Sequence, residues 1–273
     1  SLPLDRSVLM PQSRKRFGQN FITEHSIVSG IVRALAPESN IQLLEIGPGL
    51  GALTLPLLSQ VDHLDVLEID RDLVSYWQEQ KQKQALIGLN VIEGDALEFD
   101  FLSWAQRGKE AKQRSCIIGN LPYNISSPLL FHLISAAPWI DEQVFMLQAE
   151  VVERITAAAG DSEYSRLSVM LQARYYVEQI MNVPPEAFEP KPKVNSAVVR
   201  MIPRRDFDLT AKEWDALSKI VAMAFAQRRK MLRSNLHAFQ SELNLSDEEL
   251  KARAQEITVG RYIEWAKVLT RSS

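Results

Sequence analysis

The chain has 273 residues, 46% hydrophobic and 24% charged, with a net charge of −3 and one cysteine. That length and balance describe an ordinary globular protein of one large domain, or one with a small appendage. The slightly negative total argues against a protein that coats nucleic acid non-specifically, but leaves room for a localised basic face.

No apolar run is long enough to cross a bilayer, and Ser1 to Pro11 lack the layout of a signal peptide. Cys116 has no partner for an internal disulfide and fits a reducing, cytoplasmic compartment. It falls in a predicted strand, as a buried small side chain rather than a nucleophile. His25, His63, His132 and His237 are scattered without ligand spacing, so no metal site is expected.

Residues 1–13 show no periodicity and are expected to be a flexible tail. Arg14-Lys15-Arg16 then precede Phe17-Gly18-Gln19-Asn20-Phe21-Ile22, which reads either as an ordered loop able to touch an anion and a ring or as a solvated basic arm. Thr23 is expected to cap a helix over 24–36, with Ile27, Val28, Ile31, Val32 and Leu35 on one stripe. Residues 41–46 are a short buried strand running into Gly47-Pro48-Gly49-Leu50-Gly51, with a helix from about Ala52. Strand, glycine-rich turn and helix form a nucleotide-binding arrangement, but this spacing departs from the dinucleotide pattern and Pro48 interrupts it.

Residues 64–69 make the next strand, with Glu68 placed about 20 residues after Gly47, where an acid holds ribose hydroxyls. The strand over 89–93 ends at Gly94-Asp95-Ala96, where Asp95 either accepts from an adenine amino group or caps the next helix. The fourth strand carries the most informative stretch, Ile117-Ile118-Gly119-Asn120-Leu121-Pro122-Tyr123-Asn124-Ile125. Its apolar run opens into a polar, proline-stiffened turn at the sheet's carboxyl edge, where open α/β sheets bind ligands. The Asn120 side-chain oxygen and a neighbouring carbonyl can both accept from one exocyclic amino group, and the Tyr123 ring offers a stacking face. An ordinary strand-to-helix turn would use similar residues.

A helix over 128–136, a strand over 142–147 and a helix over 164–175 follow. Strands over 176–183 and 196–202, joined by a proline-rich connection rather than a helix, predict an antiparallel edge. Phe188 in that connection is either a second stacking surface or a core residue. From Leu209 the pattern is helical only. Trp214, Leu217, Val221 and Phe225 mark a helix expected to continue through Arg228, Arg229, Lys230 and Arg233, a basic cluster suited to phosphates. Ser246 with Glu249 makes a capping box, and Thr258 caps a last helix. The predicted division is a tail over 1–13, an α/β domain over 14–205 and a small helical domain over 206–273.

Strand ends at Gly47, Glu68, Asp95 and Asn120 together predict a doubly wound sheet with an adenosine-type ligand across its top. No Walker Lys-Ser/Thr follows the glycines, so a nucleoside without phosphates is favoured. S-adenosylmethionine fits, with its ribose at Glu68, adenine near Asp95 and methionine part near Gly47.

Phe17-Gly18-Gln19-Asn20-Phe21, Glu45-Ile46-Gly47-Pro48-Gly49, Asn120-Leu121-Pro122-Tyr123-Asn124-Ile125-Ser126, Pro190-Lys191-Pro192-Lys193-Val194-Asn195-Ser196-Ala197-Val198 and Gln227-Arg228-Arg229-Lys230 resemble the small-subunit (16S) rRNA adenine N6,N6-dimethyltransferase family. The likeness runs from about Arg14 to Leu269. Asn195 departs from it, standing where the family often has Asp.

The resemblance implies an α/β fold: a Rossmann-like seven-stranded methyltransferase sheet with a small C-terminal helical domain. It implies S-adenosylmethionine as cofactor, lined by Asn20, Ile22, Gly47, Glu68, Asp95 and Asn120. Asn120, Leu121, Pro122 and Tyr123 would be the catalytic loop, with Tyr123 and Phe188 stacking on the base. Arg14, Lys15, Arg16, Arg228, Arg229, Lys230 and Arg233 would meet RNA. The implied substrate is a pair of adjacent adenosines near the 3′ end of small-subunit rRNA, in an immature small ribosomal subunit; the catalytic domain would be 14–205 and the RNA-docking domain 206–273. No membrane is expected, and with no large unexplained apolar face the protein is expected to be a monomer. Rival readings are a methyltransferase of large-subunit rRNA or DNA adenine, and an assembly protein with vestigial catalysis.

Overall fold

The computed structural model describes residues 20–271. The predicted tail and the basic triplet Arg14, Lys15 and Arg16 lie outside the described residues. Two compact units are present: Ser1–Val152 with Glu178–Pro203, and Glu153–Val177 with Arg204–Ser273.

The first unit carries β1 (Phe21–Ile22), α1 (His25–Leu35), β2 (Gln42–Ile46), α2 (Thr54–Leu58), β3 (Leu64–Glu68), α3 (Arg71–Lys83), β4 (Leu89–Glu93), α4 (Phe101–Glu110), β5 (Ser115–Asn120), α5 (Ser126–Leu133) and β6 (Glu142–Gln148). After β6 the chain forms α6 (Ala149–Thr156) and α7 (Arg166–Arg174). It then forms β7 (Tyr175–Val183), β8 (Phe188–Glu189) and β9 (Ser196–Pro203).

Among the described residues, seven strands form one sheet in the order β4-β3-β2-β5-β6-β9-β7. The first five are parallel, and β9 is antiparallel to β6. β2 and β3 are buried along their whole length. A parallel sheet is covered on both faces, so Leu43, Leu44 and Ile46 on β2 and Leu64, Val66 and Leu67 on β3 are all buried, and so are the polar Glu45, Asp65 and Glu68 among them. Cys116 is buried on β5, and burial pushes its thiol up to about 12, which leaves it inert at neutral pH.

The strand order turns round between β2 and β5: β3 and β4 build outward on one side, β5 and β6 on the other. A crevice opens at such a switch point. The glycine turn after β2 and the Asn120 loop after β5 therefore flank it.

Two local expectations change. Thr23 does not cap α1; its N–H and hydroxyl both donate to the Ala187 carbonyl, at 2.8 and 3.2 Å. That bond belongs to a small second sheet in which β1 pairs antiparallel with β8, Phe21 opposite Glu189 and Ile22 opposite Phe188. Two-residue strands carry too little periodicity to be read from sequence.

The second unit adds α8 (Ala211–Ala224), α9 (Leu232–Asn235), α10 (Gln240–Leu243), α11 (Asp247–Lys251) and α12 (Val259–Arg271). Helix α8 opens on a capping box of Thr210 and Glu213, and the predicted Ser246–Glu249 box opens α11. Thr258 Oγ1 accepts from the Arg261 N–H at 3.2 Å. Helix α12 packs on α8 and α7. Phe225 lies between the rings of Tyr164 and Tyr262, with centroids 6.1 and 6.0 Å away, and Trp265 stands edge-on to Tyr262.

Helix α8 does not continue through the basic cluster. It ends at Ala224 because Asn235 donates its side-chain amide to the Ala224 and Gln227 carbonyls, at 2.8 and 2.9 Å. Those acceptors are thereby satisfied without another helical turn. The cluster occupies the turn that follows and the start of α9. The division by sequence also changes, since Glu153–Val177 groups with the helices and not with the sheet. Among the described residues no helix is long and apolar enough to cross a membrane.

Candidate active site

One cavity of about 790 Å³, open mouth included, lies at the switch point. Its walls are Asn20 and Ile22, the turn from Gly47 to Leu50, the whole Asn120-Leu121-Pro122-Tyr123 loop, and Phe188. Eight of the sequence-predicted positions thus meet in one place, drawn from segments far apart in the chain.

The Asn120 loop is held from several sides. The Leu121 N–H donates to the Met146 carbonyl at 3.1 Å, and the Ile125 N–H closes a turn on the Pro122 carbonyl at 3.2 Å. Ser126 Oγ donates to the Tyr123 carbonyl at 3.2 Å. Asn120 Nδ2 donates to the Asn20 carbonyl at 2.7 Å. Tyr123 is 58% exposed, so its ring is available as a platform. Phe188 is only 4% exposed and belongs to the core, yet it also lines the cavity. The core reading of that ring is the one met.

The glycine turn is gripped by two aromatics. Trp77 Nε1 on α3 donates to the Gly49 carbonyl at 2.9 Å. The Phe21 ring lies where a Gly49 side chain would be, 2.6 Å from an ideal Cβ, with φ at +54°.

Glu68 and Asp95 do not line this cavity. They stand at the carboxyl ends of the neighbouring strands β3 and β4. Glu68 is 2% exposed; its Oε2 accepts from the Ile69 and Asp70 N–H groups at 2.9 and 3.0 Å. Its Oε1 is buried with no hydrogen-bond partner among the described residues. Burial raises its pKa to about 7, against the pull of the Asp70 and Ile69 backbone N–H groups. Asp95 Oδ1 accepts from the Leu97 N–H at 2.9 Å within a turn, and it is Asp100, not Asp95, that caps α4, accepting from the Ser103 N–H at 3.0 Å.

These residues fit S-adenosylmethionine. The orphaned Glu68 oxygen needs a donor, and a ribose hydroxyl is one. Beside Gly47 an ideal Cβ would meet nothing closer than the Asn120 carbonyl at 3.9 Å, so backbone there is open to close approach. Ile69, 45% exposed next to Glu68, adds an apolar surface at the same edge.

The cavity also takes in Phe21, Glu45 and Gln148, which sequence reasoning did not single out. Glu45 and Gln148 were findable by the rule that found Asn120: each is polar and close to the carboxyl end of a strand. Glu45 is 2% exposed, and its Oε1 accepts from Thr54 Oγ1. Burial raises its pKa to about 8; Thr54 opposes this and the Glu68 charge adds to it.

In the unfolded chain both glutamates ionise near their ordinary value, so between that value and about 8 the folded state holds protons that the unfolded state lacks. Stability therefore falls as pH rises through this window. Glu45→Gln, which keeps the hydrogen-bonding shape without the proton, is expected to flatten that slope by a few kcal/mol. Urea unfolding of the cofactor-free protein at pH 5.5 and 8 checks it, and an unchanged slope would show that Glu45 ionises normally.

Arg228, Arg229, Lys230 and Arg233 are all exposed, in the second unit. Arg228 donates to the Ser162 carbonyl, and none of the four pairs with an acid among the described residues.

Residues 10–271 match the family model described as ribosomal RNA adenine dimethylase. The ribosomal RNA small subunit methyltransferase A of Bordetella petrii is 49% identical over 96% of this chain and 97% of its own. That of Dechloromonas aromatica is 45% identical over 94% and 98%. Among solved structures, a dimethyladenosine transferase from Plasmodium falciparum superposes with a TM-score of 0.77 at 26% identity, covering 92% of this chain and 98% of that one. The 23S rRNA methyltransferase ErmE shares the fold, with a TM-score of 0.65 at 20% identity over 92% and 100%. The sheet is thus the Rossmann-like methyltransferase sheet, and with a match over nearly its whole length the chain belongs to the ribosomal RNA adenine dimethylase family.

Proposed function

We propose that the protein transfers methyl groups from S-adenosylmethionine to the N6 amino groups of two adjacent adenosines near the 3′ end of small-subunit (16S) rRNA, two per adenosine. The substrate is an immature small ribosomal subunit in the cytoplasm, and the enzyme acts as a monomer. The observation that carries this reading is the meeting of the Asn120-Leu121-Pro122-Tyr123 loop and the Gly47 turn in one cavity.

An adenine amino lone pair is delocalised into the ring, so the nitrogen is a poor nucleophile. Asn120 Oδ1 and the Leu121 carbonyl accept its two hydrogens and favour a pyramidal nitrogen. Tyr123 holds the flipped base by stacking, worth roughly 1–3 kcal/mol, and Phe188 closes the wall beside it. The cofactor supplies a methyl group carried on a sulfonium. Asn20, Ile22, Gly47, Glu68, Asp95 and Asn120 would hold it, Glu68 through the ribose. Orientation then accounts for much of the acceleration.

No strong base is needed, because the nitrogen becomes acidic once alkylated. Glu45, the carboxyl in the cavity wall, is largely protonated at neutral pH and does not serve as one. The exposed cations Arg228, Arg229, Lys230 and Arg233 contact phosphates, and Arg14, Lys15 and Arg16 are a second basic group suited to them; such binding weakens with salt.

The test is transfer of labelled methyl groups to small subunits from cells lacking this activity, followed by mass mapping of the RNA. Dimethyladenosine at two adjacent positions near the 3′ end is the expected product. Label on large-subunit rRNA or DNA instead would overturn the substrate. Cofactor binding without label on any RNA or DNA would overturn catalysis and favour a role in assembly.

A further inference from the structure

We propose that the backbone carbonyl of Asn20 is the positioning group for the catalytic amide of Asn120, and that residues 20–23 are a strap that must be seated for methyl transfer. The inference rests on the reading of Asn120 as the acceptor for the adenine amino group.

A carboxamide is nearly symmetric in shape and opposite in function at its two ends. An amide with no fixed partner can present either its oxygen or its NH₂ to the base, and only the oxygen accepts an amino hydrogen. Here Nδ2 is committed to the Asn20 carbonyl at 2.7 Å, across one hundred residues of sequence. Turning the amide over would set two oxygens against each other. The Asn20 carbonyl therefore selects the flip and leaves Oδ1 as the accepting end.

What holds that carbonyl is the strap. Phe21 and Ile22 pair with Glu189 and Phe188. Thr23 donates twice to the Ala187 carbonyl. The Ile22 side chain is buried in the core, and the Phe21 ring packs on Gly49. One short segment thus ties together the glycine turn, the Phe188 connection and the amide that receives the substrate. Misseating it by a fraction of an ångström at Thr23 would be felt at Asn120.

Thr23→Pro removes both bonds to Ala187 without altering any cavity side chain. Thr23→Val removes only the hydroxyl bond and keeps the N–H. Single-turnover transfer of the first methyl to small subunits is measured with the full chain, beside calorimetric cofactor affinity and the melting temperature. Thr23→Pro is expected to slow transfer at saturating cofactor by about 10- to 100-fold, with some loss of cofactor affinity as well, because Asn20 and Ile22 lie on the strap. Thr23→Val should stay near the wild-type rate. In an Asn120→Ala background, Thr23→Pro should have almost no further effect on rate, because the group it acts through is gone.

Additive losses, or a wild-type rate for Thr23→Pro, would overturn the strap. If Thr23→Pro fails to fold, the Asn120 side-chain amide in the wild-type NMR spectrum decides: one slowly exchanging proton supports the bond, two rapidly exchanging ones refute it. Label appearing on large-subunit RNA would overturn the substrate reading alone, and the same cycle would then run on that RNA.

Discussion

Asn120→Ala is expected to slow transfer of the first methyl to each adenosine by about 100-fold or more, the scale seen when one preorganised polar group is removed from a reacting centre. The second transfer should suffer less. An unmethylated amine offers two hydrogens, matched by Asn120 Oδ1 and the Leu121 carbonyl. A monomethylated amine keeps only one, and the Leu121 carbonyl survives the substitution on a loop still fixed through its bond to Met146. Mass analysis of a time course would show the split as a reduced build-up of monomethyladenosine. Equal losses in single-turnover assays of the two steps would refute this division of roles.

Gly49→Ala should be nearly as damaging, through a different route. The residue sits at φ +54°, where a side chain costs about 1 kcal/mol or more, and its Cβ would fall 2.6 and 2.7 Å from two carbons of the Phe21 ring. That ring cannot retreat freely, since Phe21 is paired with Glu189. On the other side the Gly49 carbonyl is held by Trp77. The expected result is a stability loss of about 2–4 kcal/mol, strain and overpacking together, with cofactor affinity reduced at least tenfold. Gly160→Ala is the matched control: φ is +96° with nothing within 4 Å, so it should show strain without loss of cofactor. Similar cofactor affinity in the two variants would refute the clash.

Much of the sheet was legible because a parallel core strand leaves a mostly apolar run that stops at its functional end. Leu43 to Ile46 stops at Gly47, and Ile117 to Gly119 stops at Asn120. The strap was not legible, because a two-residue strand has no period and its partner lies far along the chain. Glu45 was passed over because it stands inside an apolar run, where burial holds it neutral and a reader sees only strand. The end of α8 was misread for a related reason: the apolar stripe and the basic residues suit a helix, and the signal against it is a single asparagine, Asn235, that closes the end from eleven residues away.

The helical unit is assembled from two pieces of chain separated by the last strands of the sheet. Helix α7 buries Leu167, Val169, Met170, Leu171 and Ala173, and it packs on α8 and α12, which are made last. During synthesis this apolar face therefore stays uncovered until α8 and α12 have been made. The interruption also means that no single cut separates sheet from helices: trimming the chain after Pro203 would strand α7 without its cover. The sheet's last strand is thus made before the helical unit can close.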